Sequence, residues 1–97
     1  MLYVAIRRER DWPDGFEEIA WLGNRLKQYG YTVNLEVKIF AGQEGVPYKV
    51  SIIKWEHSPF RSTPKREVVG RYEDKTEAAN MIRFLLNVVE EQLRERS

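Results

Sequence analysis

The sequence predicts an α+β fold: an antiparallel β-sheet in β-α-β-β-β-α order with two helices packed on one face. Three observations carry this reading. Apolar and polar residues alternate in three segments, the period-2 signature of strands, and a fourth reads as a shorter strand. In two other segments apolar residues recur every three or four positions, as on one side of a helix. The last three strands follow one another with short connections, which favours a meander with one apolar face for both helices to cover.

In the first strand Leu2, Val4 and Ile6 alternate with Tyr3, Ala5 and Arg7. It is expected to join an edge of the sheet or to pair with another copy of the chain. "DWPDG" at 11–15 then breaks the chain, and Asp14 with Glu17 makes a D-x-x-E capping pattern at a helix start. Phe16, Ile19, Leu22, Gly23, Leu26 and Tyr29 form the apolar stripe of this helix. Gly30 is placed to close it in a left-handed conformation.

"YTVNLEVKIF" at 31–40 turns Val33, Leu35, Val37 and Ile39 one way and Thr32, Asn34, Glu36 and Lys38 the other. "AGQEGVP" at 41–47 reads as a turn. In the next strand, "YKVSIIKW", Tyr48, Val50 and Ile52 face the helices, so Lys49, Ser51, Ile53 and Trp55 face away. "REVVGRY" at 66–72 is a shorter strand. Asp74 and Glu77 repeat the D-x-x-E pattern before the longest helix. Ala78, Ala79, Met81, Ile82, Leu85, Leu86, Val89 and Leu93 are its expected buried face, opposite Asn80, Arg83, Asn87, Glu91 and Arg94.

Ninety-seven residues suit one domain spanning 1–97. At 42% hydrophobic and 12% aromatic residues, the composition is that of a globular chain. The absence of cysteine excludes disulfides, thiolate catalysis and Cys-ligated zinc. The apolar run in "MLYVAIRRER" is too short for a signal peptide or a membrane span, so a soluble, cytoplasmic protein without a membrane partner is expected. A net charge of +1 confines any polyanion site to a local patch.

Signals for catalysis or a cofactor are weak. His57 is the one histidine, so no multi-histidine metal site exists. Glu56, His57 and Ser58 are neighbours in sequence and do not converge as members of a catalytic triad do. "GQEG" at 42–45 joins two strands and reads as a hairpin turn, and "GRYEDK" lacks P-loop spacing. No cofactor is expected, and the chain reads as a binding module and not an enzyme. Hydrolysis through His57 is the weakest alternative.

The strongest candidate is "KWEHSPFRSTPKREVVGRY", residues 54–72. Five basic residues against two glutamates give this segment +3, and −2 remains for the rest of the chain. Trp55, Phe60 and Tyr72 are set among the cations, a mixture suited to phosphates and bases. Lys54, Trp55, His57, Arg61, Lys65, Arg66 and Arg71 are therefore candidate contacts to RNA or DNA. The rival reading is a solvated hairpin whose charges keep strand edges soluble.

Three residues suggest instead a surface for a second copy, another protein or a small ligand. Trp21 falls on the polar side of the first helix, either covered by Trp12 or the amino-terminal arm or held in an interface. Ile53 and Trp55 lie on the uncovered face of the sheet, where homodimerisation would hide them.

Residues 14–95, in α-β-β-β-α order, resemble double-stranded-RNA-binding domains. "GVPY" at 45–48 is similar to their first inter-strand loop, and "EDKTEAAN" at 73–80 stands where they carry a lysine-rich helix start. The resemblance implies RNA contact through the first helix, that loop and the start of the last helix. The chain departs from the pattern at the lysine cluster, reduced here to Lys75 between acidic residues, and at the loop histidine, which is absent.

Overall fold

The computed structural model describes residues 3–38 and 47–96. The elements run β1 (Tyr3–Ile6), a 3-10 turn (Glu9–Asp11), α1 (Glu17–Lys27), β2 (Tyr31–Lys38), β3 (Tyr48–Glu56), β4 (Lys65–Tyr72) and α2 (Lys75–Arg96). The four strands form one antiparallel sheet in the order β1-β2-β3-β4. Of the two places open to the first strand, it occupies the edge beside β2. Leu2, Ile39 and the expected turn residues 41–46, which include "GQEG", lie outside the described residues.

Alternation decides the faces. Val33 and Leu35 of β2 and Val50 and Ile52 of β3 point toward the helices and pack with Phe16, Ile19, Leu22 and Leu26 of the α1 segment. Ala78, Ala79, Ile82 and Leu86 of α2 complete the core. Gly23 lets α1 lie close on the sheet, because a Cβ there would stand 3.2 Å from Cβ of Val33. Gly30 adopts φ +88° between α1 and β2, and its carbonyl accepts the Trp55 backbone N–H at 2.8 Å.

The helices run parallel. Glu18 pairs with Arg83, and Arg25 Nη2 lies 2.7 Å from Glu90 Oε1, so equivalent turns stand side by side. Both helix starts therefore lie at one end of the molecule.

The two capping patterns behave differently. Asp74 Oδ1 accepts the Thr76 N–H at 2.8 Å, satisfying a free donor in the first turn of α2. Asp14 does not cap α1. The N-cap position of that helix is Phe16, which offers no side-chain cap, and Glu17 Oε2 reaches back to the Gly15 N–H at 3.0 Å instead.

On α2 the buried stripe is narrower than the sequence suggests, because Met81 and Leu93 are exposed. At 22 residues, α2 is roughly 33 Å long, while β3 has nine residues. Phe84, which the helical periodicity leaves outside the apolar stripe, is also exposed. Among the described residues, no helix is long and apolar enough to cross a membrane.

Candidate functional site

Both helices lie on one side of the sheet, so the reverse face carries Thr32, Asn34, Glu36 and Lys38 of β2 and Lys49, Ser51, Ile53 and Trp55 of β3. The β3–β4 register adds Arg71 opposite Ser51, Val68 opposite Ile53 and Arg66 opposite Trp55. A β-bulge between these pairs brings Arg66 and Arg71 together. Gly70 pairs with Ile52 and Val68 with Ile53, leaving Val69 as the extra residue. Regular pairing through Val69 would have sent Arg66 to the helix side, so the bulge re-aims one cation.

Ile53 is not bare, contrary to the expectation from alternation. It is 0% exposed, although no helix covers its side of the sheet. Its neighbours on that face are Thr32 and Val68 across the strands and Ser51 and Trp55 along its own. Trp55 stands two residues along the same face, and its indole N–H donates to Thr32 Oγ1 at 2.9 Å. Thr32 is the cross-strand partner of Ile53, so this bond ties the indole to the isoleucine's row. Trp55 itself is partly buried.

The candidate contacts of 54–72 divide into three groups. Arg66 and Arg71 share the reverse face with Trp55, together with Lys38 and Lys49 of the neighbouring strands; Glu36 is the one carboxylate among these strand positions. Lys49 Nζ also sits 4.4 Å from the ring centroid of Tyr3. His57 and Arg61 lie exposed in the hairpin turn at 57–64, with Phe60 at 93% exposure between them. The turn is braced by Ser58, whose Oγ accepts the Phe60 N–H and whose carbonyl accepts the Arg61 N–H, both at 3.2 Å. Lys54 and Lys65 do not join the reverse face. Lys54 pairs in register with Tyr31 and lines a shallow cleft with Tyr29, Val89 and Leu93 on the helix side. Its Nζ is 3.8 Å from Glu56 Oε1, and Lys65 stands opposite that glutamate.

Trp21 is 59% exposed, and neither Trp12 nor the amino-terminal arm covers it. Trp12 turns inward, its indole donating to the Ile6 carbonyl at 2.8 Å. Arg25 lies over the Trp21 ring at 5.0 Å while paired with Glu90, so the indole forms one side of a clamp between the helices.

The end of the molecule where both helices begin is acidic. Asp14, Glu17, Glu18, Glu73, Asp74 and Glu77 collect there. Lys75 Nζ is turned back over the Phe16 ring at 5.5 Å, and Arg83 is committed to Glu18 and to Asn80 Oδ1. Glu17's carboxyl is held below its ordinary value, chiefly by backbone N–H bonds at Glu17 and Gly15, with help from the Lys75 charge.

Among the described residues, no three His, Asp or Glu side chains are grouped so as to hold a metal ion. Compared with known proteins, the chain matches no family model, no curated protein and no solved structure.

Proposed function

We propose that this protein is a small, non-enzymatic binding module that contacts nucleic acid through the uncovered face of its sheet. The observation that supports this reading best is the placement of Trp55, Arg66 and Arg71 on one face, beside Lys49 and Lys38. Cations at strand spacing suit phosphates along a backbone, and a ring among them suits a base or a sugar. Arg61, in the adjoining turn, extends the same basic margin. His57 belongs to that turn as a polar contact and not as a catalytic base.

The test is the anisotropy of a labelled 12-nucleotide RNA or DNA titrated with protein at several salt concentrations. Affinity should fall steeply with salt, with a log–log slope of about −2 for three phosphate contacts on a single strand. An Arg66→Ala/Arg71→Ala double variant should bind weakly and flatten that slope. Affinity indifferent to both salt and the double variant sinks the proposal.

A second reading is self-association through the helix layer, favoured by the exposure of Trp21 and Phe84. Ile53 no longer supports a dimer, since the monomer hides it unaided. Light scattering decides this reading: it requires a dimer that Trp21→Ala or Phe84→Ala turns into monomer.

A further inference from the structure

We infer that the ligand of this face is single-stranded, and that the Trp55 indole is a fixed stacking platform for an unpaired base, with Phe60 supplying a second ring. The inference rests on the nucleic-acid reading above and adds the strand state.

The platform follows from two facts taken together. Ile53 is completely buried on a face without helices, and the Trp55 indole is tied to Thr32 Oγ1 at 2.9 Å in the row of Ile53. A partly buried ring tied at its N–H has lost much of its rotamer freedom before any ligand arrives. Binding on its outer face then costs less ordering than binding to a free tryptophan. Arg66, the direct cross-strand partner of Trp55, places a cation beside the platform for the adjoining phosphate.

Phe60 serves the same end differently. A phenyl ring at 93% exposure at a hairpin tip stabilises nothing in the monomer, yet Ser58 holds the turn that presents it. The tip continues from the end of β3 that carries Trp55. Lys49 beside Tyr3 marks the far end of the face, six residues or roughly 20 Å along β3 from Trp55. The resulting track has Trp55 and Phe60 at one end, Tyr3 at the other and cations along its length.

Only an unpaired base can use such rings, because a duplex keeps the faces of its bases stacked inside. The surface that the element order would assign to duplex RNA is electrostatically wrong. The starts of α1 and α2 gather six carboxylates, and the Lys75 and Arg83 nearby are already engaged with Phe16, Glu18 and Asn80. A phosphate backbone approaching that end meets like charge. Negative ligands are directed to the reverse face of the sheet.

The experiment compares one mixed-sequence 12-mer, as RNA and as DNA, alone and annealed to its complement, at about 50 mM salt. Either single strand should bind at least tenfold tighter than its duplex. Phe60→Ala should lose about tenfold in single-strand affinity, the worth of one stacked base. Because Phe60 contacts no core, this variant should melt like the parent, so misfolding cannot account for the loss. Thr32→Val, which frees the indole but keeps the ring, should also weaken single-strand binding. A duplex bound as tightly as its single strand, or an unchanged affinity in Phe60→Ala, overturns the single-strand inference and leaves nucleic-acid contact standing. No binding of any of the four probes overturns both.

Discussion

The indole N–H of Trp55 donates to Thr32 Oγ1 at 2.9 Å, across the strand pair that contains Ile53. This one bond ties the indole to the row of an isoleucine that is fully buried on a face without helices. Thr32→Val removes the acceptor at nearly constant volume. It should lower stability by about 1 kcal/mol, the usual net worth of such a bond. Thr32→Ser should restore most of it. Urea melts of the three proteins check this, and equal midpoints would show that the bond holds nothing.

Trp55→Ala should cost more, because it removes a partly buried ring as well as the bond to Thr32. A buried Trp→Ala costs about 3–5 kcal/mol, and the half-exposed position of Trp55 brings the expectation to about 2 kcal/mol. Trp55→Phe keeps the ring and should lie between Ala and wild type. Loss of stability in Phe equal to that in Ala would mean that the N–H, and not the ring, carries the effect.

Glu17 makes stability depend on pH in one direction. Its carboxylate is favoured in the folded chain by the N–H groups of Glu17 and Gly15, so its folded pKa lies below the unfolded value. The contribution is complete above the ordinary glutamate range and disappears as pH falls through the lowered pKa. Glu17→Gln should therefore be less stable than wild type at pH 7, with the gap closing below about pH 4. A gap that widens in acid contradicts this account.

Two glycines carry the closeness of α1 to the sheet and its exit into β2. Gly23→Val places branched bulk where even a Cβ would meet Val33 at 3.2 Å, and should cost about 1–3 kcal/mol by overpacking. Gly30→Ala must hold φ +88° with a side chain, at about 1 kcal/mol. Thermal melts of both variants read these costs. On α2, Ile82→Ala should cost about 2–5 kcal/mol, since Ile82 is fully buried in the core.

Much of this fold was legible from periodicity. Alternation in "YTVNLEVK" and "YKVSIIKW" put Val33, Leu35, Val50 and Ile52 on the helix side, where they are found. It also put Ile53 and Trp55 on the reverse face correctly. What alternation cannot express is where a side chain leans: Trp55 reaches across to Thr32, and Ile53 is dry on a face without helices. The bulge was hidden for a similar reason: "REVVGRY" alternates poorly, and Gly70 inside it was the one available sign of an irregular strand. Met81 is exposed because it stands at the edge of the stripe, about 100° around the helix from the buried Ile82, whereas Leu93 is in line with the stripe but beyond Leu86, the last buried residue of α2. The 54–72 segment was singled out by composition, yet a composition window cannot separate Arg66 and Arg71 from Lys54 and Lys65, which the pleat sends elsewhere.

The most direct measurement is an amide and indole NMR titration of the whole chain with the single-stranded 12-mer. Shifts should concentrate on the Trp55 indole N–H, Thr32, Ser51, Ile53, Val68 and Arg71, and continue into the turn at Phe60. Changes gathered at Glu17, Glu18, Lys75 and Glu77 instead, with the reverse face silent, would contradict the account.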